Sequence, residues 1–133
     1  MIEASDYAKL ARNLVGSLPT ETRIRCALGR AYYAVYHYCL ECASTYCGEL
    51  TAEEAKDQGL HSKLYLRLEG HSKTQELDVQ LRTIADYAKK LRNLRVRSDY
   101  HLVDQTLTER DLIDGLRLLT NIESEYHRIF PMQ

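Results

Sequence analysis

Apolar residues along the chain recur at steps of three and four, and strand-like alternation is absent, which predicts an all-α protein. The two prolines, Pro19 and Pro131, fall outside the helical patterns and leave 20–130 free of proline. A first helix is predicted over about 3–17, with Tyr7, Leu10, Leu14 and Ala11 as its stripe and Gly16-Ser17-Leu18-Pro19 as its stop. The second starts near Thr20 and runs to about Tyr46. It has two apolar faces, one of Ala27, Ala31, Ala34 and Tyr38, the other of Leu28, Tyr32, Val35 and Cys39. A helix that is apolar on two sides is buried on two sides, so this is the expected central helix.

Beyond Gly48, Thr51-Ala52-Glu53-Glu54 reads as a capping box opening a short helix. Gly59 and Gly70 frame a short amphipathic piece, Leu60 to Leu68, and Glu69 to Thr74 reads as a mobile loop. A long helix follows over about 74–96, where Leu77, Leu81, Ile84, Ala88, Leu91 and Arg95 step by three and four. The last helix opens at Thr108, with Asp111 three residues on and a stripe of Leu112, Leu116, Leu119, Ile122, Tyr126 and Ile129 before Pro131. The expectation is one domain over 1–133, an up-and-down bundle of four main helices with one or two short extra ones.

The net charge of -1 argues against a protein that coats nucleic acid by bulk charge, so an anion site must come from local clustering. No apolar run approaches the ~20 residues that span a bilayer. The start, Met1-Ile2-Glu3-Ala4-Ser5-Asp6, is not a secretory signal, so no membrane partner and a cytoplasmic location are expected. Of the four cysteines, Cys39 and Cys42 have CxxC spacing without a second pair. Structural thiols are favoured over metal or redox use, with Cys47 expected to be the most exposed. No metal ligand set and no cofactor are expected.

Between Arg82 and Arg97, six cations (Arg82, Lys89, Lys90, Arg92, Arg95 and Arg97) meet one acid, Asp86. A cationic helix C-terminus favours the macrodipole, which accounts for Lys and Arg in a last turn. It does not account for Arg95 at a stripe position. There a guanidinium needs a partner, and Asp99, a backbone carbonyl and a bound phosphate all remain open. His101 follows six residues later, where it is expected in a turn just past the helix, and Arg95, Arg97 and His101 could meet around one anion if the chain turns back after Tyr100. Arg30 and His37, seven residues apart, lie on one helical face and could join that site or pair with Asp99 or Glu41. Tyr32, Tyr33, Tyr36 and Tyr38 could stack bases, although tyrosines at helical spacing more often pack in the core with their hydroxyls bonded.

The stretch Leu94-Arg95-Val96-Arg97-Ser98-Asp99-Tyr100-His101 resembles the L-R-x-x-A-D-Y segment of small HEPN-domain proteins (higher eukaryotes and prokaryotes nucleotide-binding). Arg30-Ala31-Tyr32-Tyr33-Ala34-Val35-Tyr36-His37 is similar to the R-A-Y-Y-A-x-x-H signature of that family's second helix, and His61 sits where such proteins often carry H-x-G/K. The resemblance implies a dimerising bundle of four main helices. It also implies, as in many members, a metal-independent ribonuclease with an R-x4-6-H motif, whose two copies build one composite site across the dimer. Arg95 and His101, with five residues between them, satisfy that spacing. They are the implied catalytic pair, with Arg97, Arg92, Asp99, Tyr100, Arg30 and His37 as candidate contacts to the RNA. The chain departs from toxin members at Val96, and it lacks the tyrosine at Val103 that a partner enzyme would modify.

Two further readings stay open. One is a non-catalytic module that binds nucleotide or a partner, typically a nucleotidyltransferase-type antitoxin. The other, weaker, is a thiol sensor using Cys39, Cys42 and Cys47.

Overall fold

Helix α2 begins where the Thr20 side chain accepts the Arg23 backbone N–H at 3.2 Å, and it runs from Glu21 to Tyr46. The computed structural model describes residues 3–14, 20–100 and 107–131, without the side chains of 98–100. It is an all-α bundle. The long helices are α1 (Ala4–Asn13), α2, α5 (Asp78–Tyr100) and α6 (Glu109–Ile129), with the short α3 (Ala52–Ala55) and α4 (Leu60–Gly70) between α2 and α5. A single 3-10 turn, Gln75–Leu77, leads into α5. No helix among the described residues is long and apolar enough to cross a membrane.

Side-chain caps set several of these boundaries. The Thr51 hydroxyl accepts the Glu54 N–H at 3.2 Å while the Glu54 carboxylate accepts the Thr51 N–H at 3.0 Å, closing the expected capping box of α3. Asp111 accepts the Thr108 N–H at 2.9 Å at the mouth of α6.

Helix α2 is the axis of the bundle, packed by α1, α4, α5 and α6. Both of its apolar faces are buried: Ala27, Ala31, Ala34 and Tyr38 on one, Leu28, Tyr32, Val35 and Cys39 on the other. Leu81, Ile84, Ala88 and Leu91 of α5 and Leu119 and Ile122 of α6 close the core with no accessible surface. Helix α6 approaches closely at Gly115, where a Cβ would stand 2.3 Å from Leu28 Cδ2. Helix α1 is tied to α6 by Arg12, whose guanidinium pairs with Glu123 and donates to Thr120 Oγ1 at 3.2 Å.

Four sequence expectations change. Helix α1 ends at Asn13, its buried residues are Ala8 and Ala11, and Leu10 is exposed; 15–17 lie outside the described residues. Small side chains let α1 lie close to α2, so Ala8 does what the periodicity assigned to Leu10. Glu69 and Gly70 belong to α4, and the segment after them is held rather than loose. Gly48 donates its N–H to His71 O at 2.7 Å and Lys73 donates to Tyr46 O at 2.7 Å, around an antiparallel bridge between Cys47 and Ser72. That bridge buries Cys47, so the exposed cysteine is Cys26. Burial pushes the Cys39, Cys42 and Cys47 thiols up, Cys42 to about 12. Thiols held protonated in this way are poor nucleophiles. Finally, α5 continues past 96 to Tyr100, because 97–100 holds no glycine or proline to stop it.

Candidate functional site

The i, i+4 spacing of Tyr32 and Tyr36 turns both rings toward the same side of α2. There α4 brings His61 and Leu60, and α5 brings Arg95. These residues, with Tyr33, line a cleft of about 160 Å3. Arg95 is half-buried, and its guanidinium carbon lies 5.6 Å from the centre of the Tyr32 ring, a cation–π distance. His61 packs against the same rings, with centroid separations of 4.9 Å to Tyr36 and 5.4 Å to Tyr32.

A chain of hydroxyls fixes the histidine from behind. The Tyr32 hydroxyl is 2.6 Å from His61 Nδ1 and also bonds to the Tyr65 hydroxyl. Tyr32 and Tyr65 are both buried. If Tyr65 donates to Tyr32 and Tyr32 donates to Nδ1, every polar hydrogen in the chain has an acceptor. That direction leaves His61 neutral, with the proton on Nε2 as the donor it offers to the cleft. Burial lowers the His61 pKa from its ordinary value, and the charges of Arg92 and Arg95 lower it further, so the ring is uncharged at neutral pH. Burial pushes Tyr32 up to about 12, and Tyr65 is raised for the same reason, so both hydroxyls keep their protons. The cleft therefore combines a permanent cation, a neutral imidazole and three aromatic walls. Such a set can grip an oxyanion and stack a flat ring beside it.

The candidates from the sequence separate around this cleft. Arg95 enters it as the last polar step of the α5 stripe. Arg97 does not join it. Two helical residues apart means about 200° of rotation, and Arg97 instead reaches Asp111 of α6 at 3.5 Å while its carbonyl accepts from Arg25 at 3.3 Å. The two could have converged on one anion only with α5 ending near 96, between them, whereas the helix carries both. Arg92 lines a neighbouring cleft of about 370 Å3 with Ser62, Tyr65, Lys89 and Asn93, and its Nε is buried without a hydrogen-bond partner among the described residues.

Arg30 and His37 do not line the Arg95 cleft. Arg30 is exposed, and His37 stacks on Tyr7 of α1 at 5.4 Å. Asp99 and Tyr100 are in the last turn of α5, and their side chains, with any Arg95–Asp99 pair, lie outside what is described. His101 also lies outside the described residues. The four tyrosines that could stack bases divide: Tyr32 and Tyr38 are core residues with bonded hydroxyls, Tyr38 donating to Glu123 at 3.2 Å, and Tyr33 and Tyr36 join Tyr32 in walling the cleft.

His61 is the site residue that the spacing of the motif did not single out. Its signals were the H-x-G/K position of the resemblance and a place in the first turn of an amphipathic helix, two residues after Gly59. Among the described residues no cluster of three His, Cys, Asp or Glu side chains is placed to hold a metal ion. No protein-family model, no curated protein and no solved structure matches the chain.

Proposed function

We propose that the chain is a metal-independent endoribonuclease of the HEPN type, working as a homodimer. The observation that carries this reading is Arg95, a fixed positive charge in an aromatic cleft beside a neutral histidine. The resemblance of the Arg95–His101 segment to the R-x4-6-H motif supplies the second catalytic group.

The RNA 2′-hydroxyl attacks the adjacent phosphorus, forms the new P–O bond and gives up its proton. The phosphorane gathers negative charge, which Arg95 and the His61 Nε2–H stabilise. The P–O5′ bond then breaks, and the departing oxygen takes a proton. His101 moves the protons. The products are a 2′,3′-cyclic phosphate and a 5′-hydroxyl. The nucleophile lies within the substrate, so none has to be generated on a metal.

The test is cleavage of end-labelled RNA in EDTA, with the product ends identified. Cyclic phosphate ends that survive the chelator are expected. A 3′-hydroxyl end, or cleavage that needs a divalent ion, contradicts the reading. A His101→Ala protein that stays folded and still cleaves removes the role given to His101.

A further inference from the structure

Helix α2 is covered on most sides, but one stripe of it is open. Cys26, Arg30 and Tyr33 are exposed, and His37 at the end of the stripe is half-buried. At steps of four, three and four they share one helical face. Tyr7 of α1 stacks on this stripe from the side, 5.3 Å from the Tyr33 ring and 5.4 Å from the His37 ring, the latter with only 5° between the planes.

The rings do not stop there. His37 meets Tyr36 edge-on at 5.8 Å, and Tyr36 meets His61 at 4.9 Å inside the Arg95 cleft. A continuous run of aromatic rings thus leads from Tyr7 to the guanidinium of Arg95, with Arg30 beside it. Tyr33 stays 45% exposed although Tyr7 covers it on one side, so it offers surface to a further flat ring.

We infer that this run is a track for single-stranded RNA, in which the bases next to the cut stack on Tyr33, His37 and Tyr7 while Arg30 meets the backbone. Aromatic rings interleaved with arginine fit a strand whose bases are free to splay. A duplex keeps its base faces stacked inside and cannot use such rings. The inference rests on the RNA reading of the Arg95 cleft and extends it from Tyr33 and Tyr36, which wall that cleft, to His37, Tyr7 and Arg30 beyond it.

The chain carries its own probe. Cys26 is the exposed cysteine, one turn before Arg30, whereas Cys39, Cys42 and Cys47 are buried. A 2′-O-methyl RNA of about ten nucleotides, the size of strand such grooves hold, lacks the nucleophile and binds without being cut.

On the 133-residue chain this strand is expected to slow alkylation of Cys26 several-fold. Tyr33→Ala is expected to weaken its binding about tenfold, with Tyr33→Phe close to wild type. The same strand annealed to its complement is expected to bind more weakly. Unchanged alkylation together with unchanged affinity of Tyr33→Ala overturns the track. So does a Tyr33→Ala protein whose dimer falls apart in light scattering, because the rings are then an interface between copies. Binding with these properties but no cleavage of the all-ribose strand leaves the track standing and removes the nuclease reading. Cleavage with unaltered Tyr33→Ala binding does the reverse.

Discussion

Tyr32 holds His61 from behind, its hydroxyl 2.6 Å from Nδ1, so the ring nitrogen left for the cleft is Nε2. The bond crosses from α2 to α4, and the Tyr65 hydroxyl backs it. Nitrogen NMR shifts are expected to show Nδ1 unprotonated and Nε2 protonated in the native protein. Tyr32→Phe leaves the buried Tyr65 hydroxyl without its partner and is expected to cost about 1–3 kcal/mol, with the two His61 tautomers mixing. A dominant Nδ1–H form in the wild type contradicts the direction assigned to the chain.

The lowered pKa of His61 has a signature in stability. A folded-state pKa below the unfolded value near 6.5 means that the unfolded chain binds the proton more readily. This contribution is whole above about pH 6.5 and is lost as the pH falls toward the folded-state value. Thermal midpoints from pH 7.5 down to 5 are expected to fall more for wild type than for His61→Gln. Parallel curves contradict the assignment.

Gly115 tests the packing of α6 on α2. Alanine is the better helix former by about 1 kcal/mol, yet its Cβ would meet Leu28 Cδ2 at 2.3 Å. Leu28 is wholly buried, so it must turn within a filled core. Overpacking of this kind costs about 1–3 kcal/mol. Gly115→Ala is expected to lower the urea midpoint and Gly115→Val to lower it further. A stabilised Gly115→Ala would mean that α6 lies farther out.

Glu123 gathers Arg12 of α1 and Tyr38 of α2 onto α6. Tyr38 is buried, so Glu123→Leu strands a hydroxyl, whereas Arg12 is 41% exposed and water replaces much of its pairing. The loss is expected to be about 1–2 kcal/mol. A double-mutant cycle with Tyr38→Phe separates the hydroxyl from the ion pair. Additive losses in that cycle would show that the two side chains do not interact.

The helices were legible in the sequence because periodicity and caps agreed. The two faces of α2 and the α5 stripe fall in the core where the spacing puts them, and Thr51 and Thr108 open their helices as expected. The burial of Cys47 and the buried face of α1 were misplaced because they depend on contacts between distant segments. Nothing near Cys47 announces that Ser72 will cover it, and nothing near Leu10 announces that α1 packs through its alanines.

The candidate site was half legible. Arg95 stood out because an arginine had no reason to close an apolar stripe. Its neighbours could not be chosen the same way, because a basic run looks uniform in sequence and diverges once wound into a helix. Arg92, Arg95 and Arg97 thus reach the second cleft, the first cleft and Asp111 respectively. His61 comes from a different helix, and only the hydroxyls of Tyr32 and Tyr65 reveal what it is held for.

Arg95 is the residue on which the account turns. The direct measurement is the rate of RNA cleavage in EDTA by wild type and by Arg95→Gln, with the fold and oligomeric state of both checked. A group that stabilises the charge of the transition state is worth about a hundredfold or more. The account predicts a loss of that size with helicity and assembly unchanged. A folded Arg95→Gln protein that cleaves at the wild-type rate would contradict it.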